Sequence, residues 1–144
     1  MGGYRLDQRI SFITLGVRDL EKSVEFYKRI GWEPATDNGS IVAFNMIGMA
    51  LALYQIDKLS EDVGVHIGSD NHPQLTLAYN TQSGEDVDEL LEKAELAGGI
   101  LIKTAEKAFW GGYSGYFADP DGFLWEIAYN PALPLGPNGE FQWT

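Results

Sequence analysis

Few side chains in this sequence could do chemistry, and their types narrow what that chemistry is. There is no cysteine, so thiolate nucleophiles, thiolate metal sites and disulfide staples are excluded. There are two histidines, His66 and His72. They lie six apart in a looped segment with no partner carboxylate at ligand spacing, and they read as surface or structural groups. Two loop histidines do not support a Ser-His-Asp arrangement. Gly111-Gly112-Tyr113-Ser114-Gly115 lacks both the spacing and the following helix of a phosphate-binding glycine turn. What stands out instead is Glu126, a carboxylate inside a run of large apolar residues. It could be one metal ligand, a general base or the partner of a ligand cation. A structural role, paired with an arginine or with the Ser114 or Tyr116 hydroxyl, is the plainer alternative. The turn Phe109-Trp110-Gly111-Gly112 joins two rings to a glycine pair that tolerates positive φ. It could close over a planar ligand or simply plug the rim of a cleft.

Alternation along the strands says which residues share a face with Glu126. Phe123, Trp125, Ile127 and Tyr129 oppose Leu124, Glu126 and Ala128. Ile13, Leu15 and Val17 oppose Phe12, Thr14 and Gly16. Leu75, Leu77 and Tyr79 oppose Thr76, Ala78 and Asn80. Leu51 and Leu53 oppose Ala50, Ala52 and Tyr54. Each strand therefore has one bulky apolar face, which should cover helices, and one mixed face. A mixed face is either solvated or lines a cleft. The cleft reading makes Glu126 the candidate catalytic group. It makes Phe12, Thr14, Tyr54, Thr76, Asn80, Trp110 and Tyr116 the candidate ligand contacts.

The elements that must position these groups follow a repeated order. Ile10–Val17 reads as a strand. Asp19 then caps a helix whose face is Leu20, Val24, Tyr27 and Ile30 and whose stop is Gly31. Two strands, Ser40–Asn45 and Ala50–Gln55, follow the turn Asp37-Asn38-Gly39. Ile56–Pro73 reads as a looser connection. A strand at Gln74–Thr81 then precedes a helix capped by Ser83 and carrying Val87, Leu90, Leu91 and Ala94, with Gly98-Gly99 at its end. Strands at Ile100–Thr104, Tyr113–Ala118 and Phe123–Tyr129 complete the set, the last two joined at Asp119-Pro120-Asp121-Gly122. This is an α+β pattern of two βαβββ modules, at about residues 9–56 and 74–130 of one domain spanning 1–144. The tail, 131–144, is rich in proline and glycine yet ends in Phe141 and Trp143.

Bulk properties exclude whole classes of partner. The formal net charge is −11, which repels phosphate backbones and argues against nucleic acid. The second half is the more acidic, and much of that excess sits on one helix as a solvated face. The same charge could attract a cationic ligand. No apolar run approaches a membrane span, and the N-terminal residues show no leader pattern, so a cytoplasmic protein is expected. Open sheet edges predict a homodimer.

Two blocks carry a resemblance. Ile10-Ser11-Phe12-Ile13-Thr14-Leu15-Gly16-Val17-Arg18-Asp19-Leu20, with Ser23, Phe26-Tyr27 and Gly31-Trp32, resembles the opening of vicinal-oxygen-chelate proteins. These form the glyoxalase, bleomycin-resistance and ring-cleaving dioxygenase superfamily. Phe109-Trp110-Gly111-Gly112-Tyr113-Ser114-Gly115-Tyr116-Phe117-Ala118-Asp119-Pro120-Asp121-Gly122-Phe123-Leu124-Trp125-Glu126 resembles their closing motif. The resemblance spans about residues 9–130. It implies paired modules whose curved mixed sheets enclose a cleft. In catalytic members it also implies a divalent metal on four side chains, polarising vicinal oxygens of the substrate. The matching positions here are Phe12, Ala52, Thr76 and Glu126, and of these only Glu126 is a ligand type. No metal or other cofactor is therefore expected. The expected function is metal-free binding of a small organic molecule, similar to the bleomycin-resistance proteins that sequester a cationic antibiotic. The alternatives are a metal-free lyase, isomerase or dioxygenase using Glu126 as base, a metal-dependent one with unusual ligands, or a domain that acts only by association.

Overall fold

The structure is a computed structural model that describes residues 5–68 and 73–143; His72 lies outside them. The first half contains β1 (Phe12–Val17), α1 (Leu20–Arg29), β2 (Thr36–Asp37), β3 (Ile41–Met46) and β4 (Met49–Gln55). The second contains β5 (Thr76–Thr81), α3 (Gly84–Leu96), β6 (Ile100–Lys107), β7 (Tyr113–Ala118) and β8 (Leu124–Tyr129), with α2 (Ile56–Val63) between the halves. Each half forms a four-stranded sheet, in the orders β1-β4-β3-β2 and β5-β8-β7-β6. The pairs β1–β4 and β5–β8 are parallel and the rest antiparallel. This is an α+β fold of two βαβββ modules with mixed sheets.

Local chemistry explains the boundaries. The Asp19 side chain accepts from Lys22 N at 3.1 Å, and Ser83 Oγ accepts from Asp86 N at 3.1 Å, so both helices start at the capping residues the sequence indicates. At the first hairpin turn Gly39 takes φ +84, while Asp37 accepts from its N–H. Three features differ from the sequence reading. The connection after β4 contains the helix α2, β6 runs three residues further to Lys107, and the short strand β2 pairs with β3. Helix α2 has no side-chain cap, so the sequence carried no start signal for it. What holds it is packing. A β-carbon at Gly16 would lie only 3.0 Å from Ile56 Cγ1 and 3.2 Å from Leu59 Cδ2, so glycine in β1 makes room for the helix.

One core joins the halves. Leu15, Val17, Leu51 and Leu53 of the first sheet cluster with Phe117, Trp125 and Ile127 of the second. Helix α1 supplies Phe26 and Tyr27 to the join, with ring centroids 6.0 Å from Phe117 and 6.3 Å from Trp125 respectively. A polar clasp reinforces it. Tyr27 Oη donates to Asp119 Oδ2 at 2.6 Å and accepts from Trp125 Nε1 at 3.1 Å. Asp119 also accepts from the N–H groups of Asp121 and Phe123, both at 2.9 Å. Arg18, at the end of β1, reaches Asp121 Oδ1 with its backbone N–H at 2.9 Å and its Nε at 3.1 Å. The turn Asp119–Gly122 is therefore the point where the modules are locked together. Among the described residues, no helix is long and apolar enough to cross a membrane.

Candidate functional site

Register on the second sheet sets the geometry around Glu126. Lys103, Tyr116, Glu126 and Ala78 are consecutive partners across β6, β7, β8 and β5, so their side chains form one row on one face. Ser114, Ala128 and Asn80 form the next row. The Tyr116 phenol is pushed up from its ordinary pKa by burial first, then by the charge of Glu126 and a hydrogen bond to it. Lys103 pulls the other way, while its Nζ lies 3.0 Å from Glu106. Tyr116 thus stays protonated at neutral pH and stands beside Glu126 as its direct partner across β7 and β8. A phenol beside a carboxylate can orient a polar ligand or pass a proton.

Beyond this row a broad cleft reaches the face and continues round the β5 edge to the helix-covered side, where Tyr79 and Leu90 line it. Its walls include Asn80, Glu126 and Ala128 from the sheet, Trp110 from the β6–β7 loop and Leu90 from α3. The indole of Trp110 lies folded over Gly112, whose β-carbon, if present, would run into the ring and into the Tyr129 carbonyl oxygen. The glycine pair therefore has a defined use: Gly111 takes φ +96, and Gly112 leaves space for the ring. The lining is acidic, with Asp86, Glu89 and Glu140 joining Glu126 against Lys93.

The candidate residues divide. Asn80, Trp110 and Glu126 line this cleft, and Tyr116 reaches Glu126 from the neighbouring strand. Thr76 is exposed two residues before Ala78 on the same face of β5, outside the cleft wall. Phe12, Thr14 and Tyr54 share a face of the first sheet, as their partners Ala50, Ala52 and Gly16 show, and they too lie outside the cleft wall. Sequence reasoning missed Lys103, whose place in the row depends on the irregular β6–β7 register. It also missed Leu133, Leu135, Phe141 and Trp143 of the tail, which line the cleft. The two terminal aromatic residues were the only signal in that segment.

The donor set does not fit a transition metal. Of the four positions to which the resemblance assigns metal ligands, Phe12 and Ala52 carry no lone pair, and Ala52 is fully buried. Thr76 offers a neutral hydroxyl. Glu126 alone is too few donors for useful affinity. Among the described residues no group of three histidine, aspartate or glutamate side chains stands ready to hold an ion.

Fold and sequence now meet. The chain belongs to the Glyoxalase/Bleomycin resistance protein/Dioxygenase superfamily, whose model matches residues 9–127. It is similar to a glyoxalase-related enzyme from Fulvimarina pelagi, at 40% identity and TM-score 0.90, over 95% of this chain and 99% of that one. A glyoxalase/bleomycin resistance protein/dioxygenase family enzyme from Burkholderia phytofirmans PsJN shares the fold at 18% identity and TM-score 0.77, over 84% and 98% of the two chains. A lactoylglutathione lyase from Agrobacterium tumefaciens shares it at 21% identity and TM-score 0.66, over 88% and 96%.

Proposed function

We propose that this protein binds a small organic cation in the cleft beside Glu126, without the metal of its catalytic relatives. The observation that carries this reading is the cleft lining itself. Glu126 and the Trp110 indole line the cleft, and the acidic side chains Asp86, Glu89, Glu126 and Glu140 outnumber the basic Lys93. A carboxylate bonded to a ligand cation in a partly desolvated site typically contributes about 1.5–3 kcal/mol. The test is calorimetric titration with a panel of organic ammonium compounds. Glu126→Gln keeps the shape, removes the charge and should weaken binding about ten- to a hundredfold. A confirmed cleft ligand that binds the variant as tightly as the parent would make Glu126 structural.

A second reading rests on Tyr116 and Glu126 being direct partners across β7 and β8. With Glu126 as general base and Tyr116 as the neighbouring donor, the same face could move a proton on a substrate, as a metal-free lyase or isomerase must. Turnover of an enolisable substrate that Glu126→Gln abolishes and Tyr116→Phe reduces would favour this reading over simple binding.

The protein as we read it is a homodimer. Strands β1 and β5 are sheet edges, and they expose Phe12 and Tyr79 at 58% and 49% of their surface. Bare strand edges with apolar side chains are commonly covered by another chain.

A further inference from the structure

We propose that the segment Leu133–Trp143 is part of the ligand site, and that Phe141 and Trp143 form an aromatic wall facing Trp110 across the cleft. This deepens the reading above, since it names the flat aromatic part of the cation that Glu126 would anchor. The segment lies beyond residues 9–127, which the superfamily model matches. Leu133, Leu135, Phe141 and Trp143 line the same cleft as Trp110 and Glu126.

The tail has its own internal order. Asn130 starts it by accepting from Ala132 N at 3.0 Å through its side chain and from Leu133 N at 3.2 Å through its carbonyl. A knuckle follows, in which Gly136 N–H donates to the Glu140 carbonyl at 2.9 Å and Gly139 N–H to the Gly136 carbonyl at 3.0 Å. Gly139 takes φ +84 there, which other residues rarely adopt. Glu140 Oε1 accepts from Asn138 N at 2.8 Å, and that bond holds its carboxyl below the ordinary value. The knuckle thus keeps an ionised carboxylate on the cleft lining and directs the last residues back to the cleft.

There the two rings meet edge to face, with centroids 6.1 Å apart. Trp143 is 82% exposed. With Phe141, 41% exposed, it puts two adjoining rings on the cleft lining. Rings attract both flat apolar faces and cations, and the carboxylates nearby select the cation. The ligand class that satisfies both is a planar aromatic ring bearing a fixed positive charge.

The experiment uses the full chain and two kinds of probe, measured by calorimetry. N-methylquinolinium and benzyltrimethylammonium supply a charged ring; tetraethylammonium supplies charge without one. The parent should prefer the aromatic cations. Trp143→Ala and Phe141→Ala should weaken those by about tenfold and tetraethylammonium, which meets the rings through its charge alone, by distinctly less, whereas Glu126→Gln should weaken all three. Because Trp143 is exposed, its removal leaves the core packing untouched, so loss of folding cannot mimic the result. If Glu126→Gln weakens the probes but both tail variants bind like the parent, the tail proposal fails and the anchor reading stands. If the tail variants weaken binding and Glu126→Gln does not, the anchor reading fails and the tail wall stands. If the parent binds none of the three, both are overturned.

Discussion

The Tyr27 hydroxyl donates a 2.6 Å hydrogen bond to Asp119, 92 residues away in sequence, and both side chains are buried. The bond ties a helix of one half to the turn of the other. Burial pushes the Asp119 carboxyl up from its ordinary value, and the Tyr27 bond is the largest influence holding it down. A carboxylate whose folded-state pKa is raised costs stability once it ionises. That cost is absent at pH values below the ordinary carboxylate range and grows as pH rises through it. Tyr27→Phe removes a donor to the anion and leaves Trp125 Nε1 without its acceptor. The variant should lose about 3 kcal/mol at neutral pH and distinctly less in acid, where Asp119 is protonated. Urea unfolding at a series of pH values measures it. A loss that does not grow with pH would mean that the Asp119 charge is irrelevant to the clasp.

Metal content follows from the donor set. The protein purified under mild conditions should carry far less than one equivalent of zinc, nickel, iron or manganese per chain, because Glu126 stands alone among Phe12, Ala52 and Thr76. Elemental analysis decides this, and close to one equivalent of any of them would refute it.

Assembly is open to an equally direct measurement. Light scattering at micromolar concentration should give twice the 15.9 kDa chain mass. Phe12→Glu, which puts a charge on the exposed β1 edge, should shift that mass toward the monomer. A monomer mass for the parent would rule the dimer out.

Gly115 tests how tightly the second sheet is built. A β-carbon there would come within 2.7 Å of both Leu91 Cδ1 and the Lys103 carbonyl oxygen, and 2.9 Å of Ala105 N. Two of those atoms are backbone and cannot swing aside. Gly115→Ala should therefore cost about 1–3 kcal/mol through overpacking, read as a lower urea midpoint. An unchanged midpoint would show that the bulged β6 strand yields more easily than its contacts suggest.

Much of the fold was legible because particular residues announce it locally. Asp19 and Ser83 cap helices through their own side chains, and Asp119-Pro120-Asp121-Gly122 makes its turn through the Asp119 carboxylate. Strand alternation located Leu15, Trp125 and Ile127 in the core and put Glu126 on the opposite face. What stayed hidden depends on distant partners. Helix α2 has no side-chain cap at its start and packs against Gly16. The row from Lys103 to Glu126 needs the register of three strands, one of them irregular. Alternation could say that Phe12, Thr14 and Tyr54 share a kind of face with Glu126, but not that they stand on a different sheet. The tail has no period at all, and its route is set by single hydrogen bonds such as that from Gly136 to Glu140.

The placement of the four tryptophans has a practical consequence. Trp32 and Trp125 meet at 5.6 Å within the core, while Trp110 and Trp143 stand on the cleft. The chain therefore carries two pairs of intrinsic emitters in different surroundings, one packed against the core and one on the cleft. Acrylamide should quench the outer pair first, and an occupant of the cleft should shield it while the inner pair keeps its blue-shifted emission. Denaturant should release the inner pair only when the core opens. Occupancy and cooperative unfolding can thus be followed separately in a single unlabelled spectrum.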